Sequence, residues 1–394
     1  MNRLFLDVHA LQTVPPSNLN RDDAGSPKSA IYGGVPRARV SSQAWKRAIR
    51  TYFSDEKLLE PNELGVRTKR VAELLARRIT AMEPSLPHGD ALVLASEVVR
   101  TATGSKLEVP RRSASSAKES HSAAPELKYL LFLSERQLDG LAELAIEGAA
   151  DIKKYLKGAK ARAKEIADTH HSVDIALFGR MVADSSDINV GAAVQVAHAI
   201  SVHQVQSESD YYTAIDDCNT EAEPGAGMIG TLEFNSATLY RYATLNVQQL
   251  HRNLVVGACA SNEPNITARR ATEAFVHGFV ASLPTGKINA FGHHTLPDAV
   301  IVKLRTTRPI SFVPAFEEAV GESRGYVKHA CDRLATYVPS LERAYGEGGS
   351  SRSWVLRVGP ATESLSPIGI EVESLDSLIT VIGQAVTDHV ECYA

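Results

Sequence analysis

The sequence is short of cysteine, of long apolar runs and of a charge excess of either sign, and each shortage removes a class of protein. Only four cysteines occur, Cys218, Cys259, Cys331 and Cys392, and none shares a CxxC spacing. That pattern argues against a zinc ribbon and against a disulfide framework. No apolar run is long enough to cross a bilayer, so no membrane partner is expected. The opening residues Met1–Asp7 carry charge where a secretory leader needs apolar residues, which points to the cytoplasm. The chain has no P-loop, no GxSxG and no dinucleotide-binding glycine fingerprint. Histidines come as adjacent pairs, His170-His171 and His293-His294, or five apart, as His198 and His203; none of these makes a zinc motif. Neither a metal nor a cofactor is expected. The formal net charge of -4 does not advertise nucleic-acid binding, but a net value says nothing about segregated charge.

The charge is in fact segregated. Between Asn18 and Arg50 stand Arg21, Lys28, Arg37, Arg39, Lys46, Arg47 and Arg50 against only Asp22 and Asp23. Glycines and prolines interrupt this basic stretch, so it is not one helix face. Before it, Leu4, Leu6, Val8 and Ala10 alternate with Phe5, Asp7 and His9, which predicts a strand with one buried face. After it, Ser41 or Ser42 caps a helix whose Trp45, Ile49 and Phe53 recur every fourth position. Residues from about 60 to 168 read as helices, with apolar faces at Leu74, Leu75, Ile79 and Met82 and again at Leu138, Leu141 and Ala145 behind a Ser134 cap. The Ser/Ala-rich stretch from Thr103 to Pro125 reads as a mobile loop.

Val173 to Met181 reads as a strand ending in a glycine, followed by a helix through Val194, Ala197 and Ile200. From Val202 to Gly230 the chain is polar and acidic, as suits a projecting hairpin. Thr231 to Val247 alternates as a strand. Helices are expected after Pro264 and around Leu375, Leu378, Ile382 and Val386, and short strands at Asp298–Leu304 and Trp354–Val358. The order predicts an α+β fold: a ferredoxin-like core with a helical insertion and a projecting hairpin.

Three blocks carry a resemblance. The first is Asn18-Leu19-Asn20-Arg21-Asp22-Asp23, Lys28, Ala30-Ile31-Tyr32-Gly33-Gly34 and Arg39 through Ala48. The second is Val173 to Leu177 with Gly179-Arg180-Met181. The third is Ala197 to Ile200, His203-Gln204-Val205 and Tyr212 to Asp217. Together they resemble the backbone-forming subunit of the type I-E CRISPR interference complex, Cascade (the CasC family). The resemblance implies a modified RRM palm at 1–59, 171–201 and 233–394, a helical finger insertion at 60–170 and a thumb hairpin at 202–232. It implies copies that line up along one CRISPR guide RNA, target DNA that pairs with the guide between regular kinks, further Cascade subunits as partners, and no catalysis by the subunit itself.

The candidate residues follow from chemistry and resemblance together. A helix N-terminus at Ser41, with Gln43 beside it and Lys46 and Arg50 further along, offers donors and charge to a phosphate; a plain cap with a solvated basic face is the competing reading. With Arg21 and Lys28 upstream, RNA phosphate binding is preferred. Arg180 and Met181 are assigned to RNA by the resemblance, Met181 as an unbranched side chain that can lie against an unstacked base. In the hairpin, Ile229 and then Met228 are candidates for an apolar wedge between bases. Gly286-Lys287 with Ala290-Phe291 and His293 reads equally as an RNA-touching loop or a surface turn. Paired carboxylates at Asp22-Asp23 and Asp216-Asp217 keep open a second function, a metal-dependent endoribonuclease. A third reading is a protein scaffold that binds through its helical insertion.

Overall fold

The computed structural model describes residues 3–109, 124–215, 226–256, 264–321, 325–346 and 352–391. In chain order the elements are β1 (Phe5–Ser17), β2 (Ser29–Tyr32), β3 (Val35–Val40), α1 (Ser42–Asp55), β4 (Gly65–Thr68), α2 (Val71–Met82), α3 (His88–Thr103), β5 (Leu107–Glu108), β6 (Glu126–Leu127), β7 (Leu131–Ser134), α4 (Glu135–Glu147), α5 (Ile152–Ala167) and α6 (Val173–Phe178). There follow β8 (Val194–Val196), β9 (Ala199–Ser201), β10 (Glu208–Ile215), β11 (Ala226–Asn246), α7 (Val247–Val255), α8 (Pro264–Ala281), α9 (Ile288–Phe291), β12 (Ala299–Arg305), α10 (Tyr326–Tyr345), β13 (Arg352–Arg357), β14 (Ile370–Glu371) and α11 (Leu375–Glu391). The mixed α+β class expected from the sequence is what the structure shows.

Two units divide the chain. The first comprises residues 1–56, 195–246 and 272–394. Its sheet runs β14-β13-β12-β1-β11-β9-β3-β2, with β8 and β10 also paired to β11. β1 lies between β11 and β12, antiparallel to both. That central position explains why the one-faced strand expected from alternation is buried on both faces. Asp7 and His9 are as covered as Leu6 and Val8. The face bearing Leu6 and Val8 belongs with Trp45, Ile49 and Phe53 of α1, all buried as their spacing predicts. The other face packs Leu11, Tyr240 and Ile301 with Phe312, Phe316 and the α10 residues Ala330, Cys331, Leu334 and Val338.

Burying Asp7 requires partners, because an isolated carboxylate cannot leave water cheaply. It receives the Arg305 Nε–H at 3.0 Å, the Ile310 N–H at 2.9 Å and the Tyr242 hydroxyl at 3.1 Å. Arg305 also pairs with Glu342, which in turn holds Lys303. His9 stacks on Phe312 at 4.0 Å and bonds the Tyr240 hydroxyl at 2.8 Å.

The second unit comprises residues 57–194 and 247–271. Its core joins α2, α3, α4 and α5 through Leu75, Ile79, Leu94, Val98, Leu138, Leu141 and Leu156. Ser134 caps α4 in a capping box with Gln137, as the sequence predicts. Met82, expected on the buried face of α2, is exposed at the helix end.

Two expectations fail in the second and third sequence blocks. Val173–Phe178 is the helix α6, not a strand. A run that is apolar but for Asp174 lacks the alternation that separates the two states, and the Asp174 carboxylate closes the first turn by accepting from Ser172 Oγ at 2.6 Å and Ile175 N at 3.1 Å. Conversely, Val194–Val196 and Ala199–Ser201 are the strands β8 and β9, not a helix, because both find backbone partners along β11. Their β-branched and small residues suit the pleat.

Candidate nucleic-acid interface

The stretch from Asn18 to Lys28 leaves the end of β1 as an ordered loop. Asn18 pins it, donating from Nδ2 to Gly25 O at 3.0 Å and to Glu233 O at 2.8 Å. Asn20 ties the loop to the start of α1: its Oδ1 accepts Ser41 N–H at 2.9 Å, while its carbonyl accepts Lys28 N–H at 2.9 Å. Gly286 closes in from below. A Cβ there would stand 2.3 Å from Leu19 O, so only glycine permits the approach. Lys287 beside it is exposed, whereas His293 is buried and bonded to Pro284 O, so His293 is not an RNA contact.

Ser41 caps α1, accepting Ala44 N–H at 3.3 Å. Gln43, Lys46 and Arg50 follow at i, i+3 and i+7, one stripe of the helix. Gln43 is exposed and Lys46 and Arg50 are half-buried; burial holds the Lys46 ammonium below its ordinary pKa. Arg21 is exposed and Lys28 half-buried. The structure thus brings Lys28, Ser41 and the first turn of α1 together around Asn20.

Sequence reading missed two members of this surface. Arg39 of β3 donates from its guanidinium to Nδ1 of exposed His198 at 3.2 Å and to Ser29 O at 3.0 Å. His198 is held below its ordinary pKa by burial and then by the Arg39 and Lys28 charges. Both residues were visible in the blocks, but their meeting joins positions 159 apart in the chain.

Asp22 closes its own turn, accepting Ser26 N–H on Oδ1 at 2.9 Å. Asp23 is exposed, and Asp216 and Asp217 lie outside the described residues. Among the described residues no cluster of three or more His, Cys, Asp or Glu side chains is placed to hold a metal ion.

β10 and β11 form a two-stranded ribbon, with Tyr212 across from Gly230, Thr213 from Ile229 and Ala214 from Met228. Met228 and Ile229 are therefore strand residues, one on each face, and not the apex of a turn; residues 216–225 lie outside the described residues. Both are exposed, as are Tyr211 and Tyr212, which sequence reading had not singled out. Four large side chains in water on one ribbon is an apolar surface without cover.

In the second unit, Arg180 and Met181 part company. Arg180 is buried. It donates to Ile188 O at 2.8 Å and Asp168 Oδ1 at 3.0 Å, with Gln137 Oε1 at 3.3 Å, and burial lowers its pKa to about 10. Its guanidinium is spent on its own unit, which corrects its assignment to RNA. Met181 is 79% exposed. The same unit holds an open cleft of about 730 Å³ lined by Lys153, Lys157, Lys160 and Lys164, one stripe of α5, with Arg100 and Asp184–Asp187 opposite. Lys164 is paired to Asp187 at 2.6 Å.

Solved structures with this fold are chains of CRISPR RNA-guided surveillance complexes. A chain of a complex described as "CRISPR RNA-guided surveillance complex, pre-nicking" is 35% identical, with a TM-score of 0.83 over 97% of this chain and 100% of that one. A chain of a second "CRISPR RNA-guided surveillance complex" is 31% identical, with a TM-score of 0.72 over 97% and 99%. No curated protein matches. The fold is that of a surveillance-complex subunit. The chain belongs to the family described as CT1975-like protein, whose model matches residues 6–381, and is a Cascade backbone protein of the CasC kind.

Proposed function

We propose that the chain is a non-catalytic RNA-binding backbone subunit that lines up with further copies of itself along a CRISPR guide RNA. The observation that carries this reading is the pair of cations Lys28 and Arg39, with His198 against Arg39, beside the capped start of α1, where Gln43, Lys46 and Arg50 continue the surface. Phosphates of a single strand satisfy such a surface without any base being read. That matches a subunit which must accept every guide sequence.

The first unit acts as the palm, with the β10–β11 ribbon as a thumb; the helical part of the second unit acts as the finger. Tyr211, Tyr212, Met228 and Ile229 on the ribbon, and Met181, are the side chains that lie against unstacked bases and hold the regular kinks. The lysine cleft along α5 has the charge to steady phosphates of target DNA paired to the guide. Other Cascade subunits complete the particle.

The test is RNA binding by the purified protein over a salt series, wild type against Lys46→Ala/Arg50→Ala. The double variant is expected to bind more weakly with a shallower slope of log K against log salt. Equal binding by both proteins, or none by either, removes the phosphate grip. The endoribonuclease reading has less support, since Asp22 is engaged in its turn. RNA cut at a regular interval in magnesium or manganese, and intact with Asp22→Ala, would reinstate it.

A further inference from the structure

Arg241 sits in β11 at the centre of the first unit's sheet and is fully buried. Its guanidinium donates to Gln12 Oε1 at 2.6 Å and to the Phe279 carbonyl. It stacks over the Trp45 ring with 3.7 Å to the centroid and over Phe279 at 4.6 Å. Burial alone lowers its pKa, to about 9, so it keeps its proton at neutral pH.

Of the other deeply buried cations, Arg37 donates only to the backbone carbonyls of Ser201, Phe316 and Glu317, whereas three have carboxylate partners. Arg305 has Asp7 and Glu342, Lys303 has Glu342, and Arg180 has Asp168. The partners of Arg241 are all neutral. An ion buried without a counter-ion is a poor device for stability, since an apolar side chain of similar volume packs as well or better. Its position offers another use. Trp45, on which it lies, is in the first turns of α1, next to Lys46 and one turn from the Ser41 cap.

We infer that Arg241 is a positioning residue for guide phosphate: a fixed buried positive charge beneath α1 that is offset only when an anion arrives at the helix start. This rests on the phosphate-grip reading above. In the ligand-free protein the charge adds to Lys46 and to the positive end of the helix dipole, an arrangement that disfavours the empty site. A phosphate at the first turn, about 10 Å from the guanidinium by helix geometry, relieves all three at once. Acting through a low-dielectric interior, a unit charge at that range contributes roughly tenfold in affinity. Because Arg241 does not touch the phosphate, it displaces no counter-ion.

The experiment uses the full chain and a labelled single-stranded RNA oligonucleotide over a salt series, with thermal melting of each protein alongside. The variants are Arg241→Met, Arg241→Gln, Arg241→Lys and Lys46→Ala. The neutral variants are expected to keep or raise the Tm, lose about tenfold in affinity and keep the wild-type salt slope, while Arg241→Lys keeps most of the affinity. Arg241→Gln still donates to Phe279 O and serves if the methionine variant does not fold. Wild-type affinity in a folded neutral variant, or loss of affinity in all three variants in step with loss of Tm, makes Arg241 a packing residue and overturns the inference. An unchanged slope in Lys46→Ala, by contrast, strikes the grip itself.

Discussion

Tyr212 lies over Gly230, directly across from it in the ribbon, so closely that a Cβ on Gly230 would stand 2.5 Å from the phenol oxygen. The glycine leaves one face of the ribbon open for the ring to rest on. Gly230→Val therefore pushes the ring off its seat. Its RNA affinity is expected to approach that of Tyr212→Ala, with a loss of about 1–3 kcal/mol per base contacted. Both variants should melt with the wild type, because the ribbon buries little. A Gly230→Val protein that binds RNA normally removes Tyr212 from the interface.

The contact between Arg39 and His198 is expected to make RNA binding sensitive to pH. Burial first, and then the Arg39 and Lys28 charges, hold the free imidazole below its ordinary pKa; a phosphate beside it raises that pKa, so binding takes up a proton. RNA affinity should rise as pH falls from 8 to 6. His198→Asn should flatten the profile, and an unchanged profile in that variant places the RNA elsewhere.

Stability should move the other way with acid. Burial first, and then nearby cations, lower the pKa of His9 and bring that of His171 to about 4, against about 6.5 in the unfolded chain. Between those values the unfolded chain binds more protons, so stability is present above pH 6.5 and is lost as pH falls towards 4. Melting temperatures recorded from pH 7.5 to 4.5 should decline through this window. His171→Gln should decline less steeply than wild type.

The Asp7–Arg305 pair is a fourth point of attack. Asp7→Ala takes a carboxylate away from the buried Arg305 guanidinium, and should cost about 3–5 kcal/mol in urea unfolding. A loss below about 1 kcal/mol would show water reaching the site.

What was legible in the sequence was local. The Ser41 and Ser134 caps and the Trp45, Ile49, Phe53 stripe need only neighbours within two turns. The 173–178 run went wrong because five apolar residues around one aspartate carry no period, and what decides for helix includes that carboxylate, which also accepts the Gly65 N–H at 3.0 Å, 109 residues away. Arg180 looked like a ligand contact in a motif, but its partner Gln137 lies 43 residues upstream, where no short pattern reaches. Arg241 gave no signal at all: a lone arginine in an alternating strand reads as an exposed position, and only the packing of α1 and α8 hides it.

β11 is one uninterrupted strand of 21 residues, roughly 70 Å of nearly extended backbone. Its first half is the ribbon and its second half runs beside β1, carrying Arg241 and Tyr240 into the middle of the sheet. No hinge of turn or helix separates the two halves. A tug on the far end, from whatever the ribbon grips, is borne along a single taut cord into the stiffest part of the molecule rather than absorbed at a joint. The ribbon behaves as a spar and not as a flap.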